Sequence, residues 1–289
     1  MKIGMMGLGA MGMHMARNLH RGGALLGAWN RTAAKSRQLA DELGIRAFDS
    51  PAELARACDT LVICVSADAD LREVVTALLP GLQPGSLVID CSTVSATTAR
   101  DLHAQLAARH CAFLDCPVSG GVEGARLASL AIMAGGDAQA FARAQPVLQL
   151  MGKTITYFGP SGSGQAAKAT NQIMCAGIIQ VVAEAMAFAK AEGLPLDALI
   201  DTLGKGAGSS WYFVNRAPFM AREQYPAGFR VRLHDKDLRI CREMAAARGA
   251  TLPAVETTLA LYEALIAQGF GDEDISAVFR LTPNLFHRG

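Results

Sequence analysis

The sequence of 289 residues predicts an open, doubly wound α/β sheet followed by an all-α domain. Three observations lead to this prediction. Short apolar runs alternate with helical segments in the first half, a glycine-rich turn follows the first run, and strand-like runs become scarce after residue 160. We therefore assign residues 1–162 to the sheet domain and residues 163–289 to the helical domain.

The predicted strands are nearly continuous apolar runs, which are typical of parallel strands covered on both faces by helices. Helical segments such as residues 33–43 and 97–109 lie between them, so the alternation predicts right-handed βαβ units. The predicted strands are residues 2–7, 25–29, 60–65, 87–91, 112–117, 130–136 and 154–159.

A flexible joint is predicted at GPSGSG, residues 159–164. Residues 165–191 then predict one helix about 40 Å long, from the known rise per residue of an α-helix. This helix is apolar enough to suggest a bilayer span, but Gln180, Glu184 and Lys190 favour a buried helix instead. Further helices are predicted near residues 196–205, 211–222, 235–248 and 252–268.

Composition excludes several classes of function. The formal net charge of +1 provides no general field for attracting nucleic acid or an anionic membrane. The seven cysteines include no CxxC pair and no two histidines have metal-ligand spacing, so we expect reduced thiols and no metal. The chain is therefore predicted to be soluble and cytoplasmic, with no nucleic acid and no membrane among its partners.

A GxGxxG turn lies between the first predicted strand and a predicted helix over residues 11–21. Such glycines let the pyrophosphate of a dinucleotide approach the backbone at the positive end of a helix. A glycine-rich turn can also serve packing alone, but the strand before it and the helix after it favour a Rossmann-type nucleotide site. The predicted cofactor contacts are Gly7, Leu8, Gly9, Ala10, Met11 and Gly12.

The end of the second predicted strand indicates which dinucleotide is bound. Asn30 stands where an acid would hold both ribose hydroxyls and repel a 2′-phosphate. Arg31 can instead bind phosphate oxygens with its forked guanidinium, and Thr32 and Lys35 add a hydroxyl and a second cation. NADP(H) is therefore predicted, with NAD possible. The alternative is an ordinary exposed arginine at a helix start.

Two further stretches have the residue types of a reaction site. The small residues Ser119, Gly120 and Gly121 follow a strand, and their backbone N–H groups can converge on a carboxylate. Lys168 and Asn171 share one face of the long predicted helix with Gln172, near its otherwise apolar start. A partly desolvated lysine can exchange protons near neutral pH. The alternative for the Ser119 stretch is a plain loop. The alternative for Lys168 is a lysine at an exposed helix start.

In combination these motifs resemble the β-hydroxyacid dehydrogenases, which include 3-hydroxyisobutyrate dehydrogenase, tartronate semialdehyde reductase and the glyoxylate/succinic semialdehyde reductases. The resemblance extends from residue 2 to residue 281. It depends on the glycine signature continued to Met15-Ala16-Arg17-Asn18, on Ser92-Thr93, on PVSGG at 117–121, on GxGxxxKxxN at 162–171 and on Lys236-Asp237 in LHDKDL.

The resemblance implies a role for each matching residue. Lys168 would be the catalytic acid/base, the Ser119–Gly121 loop would hold the substrate carboxylate, and Asn171 with Gln172 would face the substrate. The expected cofactor contacts outside the glycine turn are Val65, Ser66, Thr93 and Lys236, with Asp237 positioning Lys236.

The resemblance predicts an NADPH-dependent reductase of a small aldehyde acid, or the reverse oxidation, with a carboxylate-bearing substrate. Asn171-Gln172 and residues 228–238 are similar to the tartronate semialdehyde reductase branch. Residues 208–211 and Asn215-Arg216 are instead similar to branches that act on other hydroxy acids, so the substrate stays open. Trp211 and Phe213 would either shape the substrate pocket or belong to the core.

Other interpretations remain. One is an NAD-dependent dehydrogenase of the 3-hydroxyisobutyrate type, and another is a noncatalytic NADPH-binding sensor, although such relatives typically lose the lysine. The related imine reductases generally replace it too. A long apolar helix in a helical domain also predicts a homodimer or homotetramer.

Overall fold

The protein folds as two units, Met1–Lys168 and Ala169–Gly289, which divide inside one long helix. This computed structural model describes residues 1–282 and Leu285. The division lies beyond the glycine-rich segment 159–164, because the first turn of the helix is hydrogen-bonded to the sheet of the first unit.

Nine strands of the described residues form one sheet in the first unit. Seven coincide with the apolar runs, while β3 and β7 contain two residues each and were too short to predict. The strands are β1 Ile3–Met6, β2 Leu25–Trp29, β3 Arg46–Ala47, β4 Thr60–Ile63, β5 Leu87–Asp90, β6 Ala112–Asp115, β7 Val118–Ser119, β8 Leu130–Gly136 and β9 Gly152–Gly159.

Helices alternate with these strands and then continue alone. Those that begin in the first unit are α1 Ala10–Arg21, α2 Ala33–Leu43, α3 Pro51–Ala57, α4 Asp68–Leu78, α5 Ala96–Ala107, α6 Gly121–Arg126, α7 Ala138–Leu148 and α8 Ser163–Ala191. The others are α9 Leu196–Leu203, α10 Trp211–Ala221, α11 Val231–Ala246, α12 Pro253–Ala267 and a 3₁₀ helix over Ile275–Leu281.

The sheet has the strand order β3-β2-β1-β4-β5-β6-β8-β7, with β9 also paired to β8. All pairs from β3 to β6 are parallel, and β8 runs antiparallel to β6. The strand order reverses between β1 and β4, where open α/β sheets bind their ligands at the carboxyl ends of the strands. The predicted doubly wound fold is confirmed.

Apolar side chains cover both faces of this sheet, as the continuous apolar strands predicted. Met5, Val62 and Ile89 belong to the core on the face that includes α1. Met6 and Ile63, one residue along the same strands, belong to the core on the opposite face. Successive side chains of β1 and β4 therefore pack into opposite cores, and this packing sets the orientation of the strand ends that carry the candidate site.

The second unit is all-α in its described residues, as predicted. Ile179, Met186, Leu238 and Tyr262 lie in its core. Among the described residues, α8 is the one helix with the length and apolar composition to cross a membrane, yet 44% of its most apolar window is buried inside the protein. A helix that forms the core of a helical domain can have the same length and apolar composition as α8.

Candidate active site

The glycine turn after β1 forms a cradle at the start of α1. A Cβ atom on Gly7, which has φ +87°, would lie 2.1 Å from the Cys64 carbonyl oxygen. A Cβ on Gly12 would lie 1.9 Å from the Gly7 carbonyl oxygen. Gly9 precedes α1, and apart from its own atoms and those of its chain neighbours no heavy atom of the described residues lies within 4 Å of its Cβ position. The backbone at this helix start is thus open to an anion.

The other residues of the turn divide between core and surface. Leu8 is buried in the core beneath the turn, Met11 is half-buried, and Ala10 is exposed beside Gly9. Small or apolar side chains here leave the backbone N–H groups of the first turn as the polar surface. The turn fits the pyrophosphate of a dinucleotide.

Asn30 has a structural role that the sequence pattern did not predict. Its Oδ1 accepts a hydrogen bond from the Leu8 backbone N–H at 2.8 Å, and its Nδ2 donates to the Thr32 carbonyl at 3.0 Å. The amide therefore ties the glycine turn to the end of β2. It does so without the negative charge that would repel a 2′-phosphate.

Arg31 is exposed, and acids of α4 face it. Its guanidinium Nη1 lies 2.9 Å from Asp70 Oδ1 and 3.9 Å from Glu73 Oε2. Thr32 and Lys35 are exposed on the same segment. Surface ion pairs of this kind contribute little free energy, so the guanidinium can exchange a carboxylate for another anion.

The loops after β4 and β5 are held together by a buried carboxylate and a hydroxyl. The Val65 N–H donates to Ser92 Oγ at 2.9 Å, and the Ser92 N–H donates to Asp90 Oδ1 at 3.0 Å. The second oxygen of Asp90 has no hydrogen-bond partner within residues 1–282 and Leu285. Burial raises the pKa of Asp90 to about 7, against the opposing effect of the Ser92 bonds. Ser66 is exposed and Thr93 half-buried beside this pair.

Asp115, at the end of β6, binds the beginning of α8. One oxygen accepts from the Gly162 N–H at 2.8 Å and the other from the Gln165 N–H at 3.0 Å. Burial raises the pKa of Asp115, and these backbone donors act in the opposite direction. Gly164 fits because a Cβ there would lie 2.4 Å from the Asp115 and Met133 carbonyl oxygens. The segment predicted as a flexible joint is thus bonded to the sheet.

Gln165 extends this connection to the loop after β5. Its Nε2 donates to the Ser92 carbonyl at 2.9 Å, and its Oε1 accepts from the Val94 N–H at 3.2 Å. The sequence pattern predicts no role for Gln165, Asp90 or Asp115. A carboxylate at the end of a buried strand was the available signal for the two acids.

Lys168 lies on α8 one turn after Gln165 and is only 7% exposed. It is therefore not the surface lysine of the alternative interpretation.

The loop expected to hold a carboxylate has the required backbone freedom. Ser119 is half-buried in β7, opposite Ala131 of β8. Gly120 and Gly121 follow with φ of +130° and +63°, a region that favours glycine. The loop leads into α6, which Asn18 of α1 holds by a 2.6 Å bond to the Ala125 carbonyl.

In the second unit, Gln172 links helices and does not present its amide on the surface. It is 1% exposed; its Oε1 accepts from Asn171 Nδ2 at 2.8 Å, and its Nε2 donates to Asp237 Oδ2 at 2.7 Å. The other Asp237 oxygen lies 2.9 Å from Lys236 Nζ. The structure thus gives Gln172 a positioning role where a substrate contact was expected, because its side chain is directed into the core.

His234 and Tyr262 belong to the same network; His234 lies within LHDKDL, but neither residue was assigned a role by the sequence pattern. His234 Nε2 lies 3.2 Å from the Gln172 carbonyl, and its Nδ1 lies 2.8 Å from the Tyr262 hydroxyl. A carbonyl can only accept, so Nε2 donates to the Gln172 carbonyl, while Nδ1 is hydrogen-bonded to the Tyr262 hydroxyl. Phe213 is a core residue of this unit, whereas Trp211 is exposed, with the Arg216 guanidinium 5.0 Å from its ring.

Comparison with known proteins matches nearly the whole chain. Residues 2–159 match the family model of the NAD-binding domain of 6-phosphogluconate dehydrogenase, and residues 162–282 match that of the NAD-binding region of NADP-dependent 3-hydroxyisobutyrate dehydrogenase. An oxidoreductase of Synechocystis is 38% identical, with 96% of this chain and 97% of the relative covered.

Two further relatives have named activities. The NAD-dependent L-serine dehydrogenase of Pseudomonas aeruginosa is 34% identical, with 97% of each chain covered. The structure of Mycobacterium tuberculosis 3-hydroxyisobutyrate dehydrogenase with L-serine superposes with a TM-score of 0.89 at 33% identity, covering 97% of this chain and 98% of that one.

Proposed function

Because the chain belongs to the β-hydroxyacid dehydrogenase family, and is thus an NAD(P)-dependent oxidoreductase acting on CH–OH groups, we propose a specific reaction and role for its residues. The protein reduces a small aldehyde acid to the hydroxy acid with NADPH, or catalyses the reverse oxidation, and Lys168 is the general acid/base. Tartronate semialdehyde, glyoxylate and succinic semialdehyde represent the substrate class.

The burial of Lys168 carries the proposal. The residue is 7% exposed and lies one turn beyond the segment that Asp115 binds to the end of β6. Burial of an ionisable side chain costs free energy, and side chains of this kind are often found at functional sites. Proton transfer to or from an alcohol oxygen is such a function.

The chain's own residues bind the substrate and move one proton. The bound nicotinamide supplies the hydride in reduction and accepts it in oxidation. Ser119 Oγ and the backbone N–H groups of Gly120 and Gly121 bind the carboxylate. Lys168 donates its proton to the aldehyde oxygen in reduction and takes it back in oxidation. Asn171 would orient the same oxygen, and Lys236, which is paired with Asp237, would contact the cofactor.

Lys168→Ala tests the catalytic role. We expect kcat to fall about 10²- to 10⁴-fold, the range for loss of general acid/base catalysis, with NADPH affinity nearly unchanged. Lys190→Ala is the control, because this lysine of the same helix pairs with Glu223 on the surface. Turnover within a few fold of wild type in Lys168→Ala would contradict the mechanism.

The substrate class is tested with glyoxylate, succinic semialdehyde, tartronate semialdehyde and methylmalonate semialdehyde, each with NADPH and NADH. We expect one or more of these acids to be reduced faster with NADPH. Absence of turnover with all four acids and both cofactors would contradict the proposed substrate class.

A second candidate, NAD-dependent oxidation of a 3-hydroxy acid such as 3-hydroxyisobutyrate or L-serine, has support of its own. The P. aeruginosa relative is named for NAD and L-serine, and the M. tuberculosis structure contains L-serine. Asp70 and Glu73 also place negative charge beside Arg31, which opposes a 2′-phosphate.

Variants at the Arg31–Asp70 pair distinguish the two cofactors. If Arg31 binds a 2′-phosphate, Arg31→Ala raises the KM for NADPH much more than that for NADH, and Asp70→Asn lowers the KM for NADPH by freeing the guanidinium. Equal effects on both cofactors in Arg31→Ala would favour the NAD-dependent candidate.

Exposed apolar side chains of the second unit support self-association. A groove of about 570 Å³ on this unit includes Val181, which is 64% exposed, and Leu203, which is 47% exposed. We assign a second copy of the chain to this groove, since symmetric oligomers use one surface on both copies. Val181→Glu should lower the mass measured by sedimentation, with Arg248→Glu as the exposed control; a monomeric wild type would contradict the assignment.

A further inference from the structure

We propose that Gln165 is a positioning residue, which fastens the loop of residues 92–94 to the first turn of α8 so that Thr93 and Lys168 keep one mutual geometry. The inference depends on the proposed function, in which Thr93 contacts the cofactor and Lys168 transfers the proton. Gln165 itself is neither a proposed cofactor contact nor a proposed catalytic residue.

Both ends of the Gln165 amide bind the main chain of this loop. Nε2 donates to the Ser92 carbonyl at 2.9 Å, and Oε1 accepts from the Val94 N–H at 3.2 Å. The two groups flank Thr93 in sequence, and the glutamine is 1% exposed. Because the bonds go to backbone atoms, they fix the path of the loop at the residue between them.

The loop is also held from the opposite direction. Ser92 Oγ accepts from the Val65 N–H at 2.9 Å, and Asp90 Oδ1 accepts from the Ser92 N–H at 3.0 Å. With Gln165 in place, residue 92 is therefore bound to the loop after β4, to β5 and to α8 at once. Loss of the glutamine would leave the α8 side of the loop without its two bonds.

The helix start is constrained by the same residue. The Gln165 backbone N–H donates to Asp115 Oδ2 at 3.0 Å, so its main chain binds β6 while its side chain binds the loop. Lys168 follows at i+3 and shares that face of the helix. A slide or rotation of the helix start that moves Lys168 would break the bonds of Gln165.

Kinetics of Gln165→Met test the inference, because methionine keeps the size of the side chain and removes both bonds. A small misplacement of reacting groups can lower turnover about 100-fold, so we expect kcat to fall about 10- to 100-fold while the KM for NADPH changes less than about 3-fold. The deuterium isotope effect with 4-deuterated NADPH should rise as hydride transfer becomes rate-limiting.

Two further variants separate positioning from general stability. Ser161→Ala removes a bond from the same segment to the Ala99 carbonyl, and we expect wild-type kcat and isotope effect. Gln165→Asn keeps the amide but shortens the side chain, so it should behave like Gln165→Met. Wild-type kinetics in both Gln165 variants would overturn the inference.

Amide hydrogen exchange provides a measurement that does not require turnover. The Val94 N–H is bonded to Gln165 in the protein itself, so its exchange without cofactor should accelerate at least about 10-fold in Gln165→Met and not in Ser161→Ala. Unchanged exchange would overturn the inference even if the enzyme is active. A wild type that reduces none of the acids would contradict the proposed function alone, and the Val94 exchange would still decide the role of Gln165.

Discussion

Two buried polar networks, one in each unit, are built on different principles. The strand-end network of the first unit, formed by Asp90, Ser92, Asp115 and Gln165, bonds mainly to backbone N–H and carbonyl groups. The helix network of the second unit, formed by Gln172, His234, Lys236, Asp237 and Tyr262, bonds mainly side chain to side chain.

The difference indicates what each network stabilises. Bonds to the backbone fix the path of loops and the position of a helix start, whichever side chains those loops carry. Bonds between side chains fix which helices pair, because both partners must be present. We therefore expect loss of one acid from the strand-end network to lower the free energy of unfolding strongly. A single substitution in the helix network should cost only about one hydrogen bond.

The largest effect is expected for Asp115→Ala, which removes the acceptor of two buried N–H groups, those of Gly162 and Gln165. We expect a loss of about 3 kcal/mol in the free energy of unfolding, or about 9 °C in Tm, measured by thermal unfolding. Asp101→Ala is the control, since its carboxylate pairs with Arg72 on the surface and should change stability by less than about 1 kcal/mol. Similar losses in both variants would remove the distinction between the networks.

Asp90→Asn should change how stability depends on pH. The folded-state pKa of about 7 lies above the ordinary value of about 3.9, so the carboxyl contributes its full stability below about pH 4 and loses it as the pH rises through 7. The asparagine variant cannot ionise at this position. Between pH 5 and pH 8, its free energy of unfolding should therefore fall by on the order of 2 kcal/mol less than that of wild type. Thermal unfolding at both pH values checks this, with Asp101→Asn as the exposed control.

In the helix network, Gln172→Met should have a smaller effect. It removes one donor to Asp237, which keeps its ion pair with Lys236, so we expect a loss of about 1.5 kcal/mol with unchanged helix content by circular dichroism. Gln268→Met, at an exposed glutamine of the same unit, should be neutral. A loss as large as that of Asp115→Ala would show that side-chain bonds constrain this protein as strongly as backbone bonds.

The smallest effect is expected for Tyr262→Phe. Loss of the hydroxyl removes this hydrogen bond of His234 Nδ1 but keeps the ring in the core, so we expect a loss of about 1 kcal/mol in the free energy of unfolding. Tyr225→Phe, at another buried tyrosine, is the control. In the double variant with Gln172→Met the losses should not add, because Gln172 and Tyr262 both bond to side chains of α11 that belong to one network; strict additivity would contradict a single network.

Much of the fold could be predicted because its signals are local. Apolar runs without alternation indicated buried parallel strands, and β2 and α2 began and ended where predicted. The glycine turn was recognisable because a Cβ atom has no room at Gly7, where it would meet the Cys64 carbonyl, or at Gly12, where it would meet the Gly7 carbonyl. The roles of Lys168 and the Ser119 loop remain predictions that the proposed experiments test.

By itself, the sequence determined the α/β class, the helical second domain, the family and the position of the nucleotide turn, since each follows from residues close together in the chain. Only the tertiary structure decided that Gln172 faces Asp237, that Tyr262 orients His234, and that Gln165 binds the loop after β5. These partners come from separate elements, and a glutamine or tyrosine has the same helical periodicity whether it faces a substrate or a partner in the core. The direction of a polar side chain is determined by what packs against its helix, which no local pattern encodes.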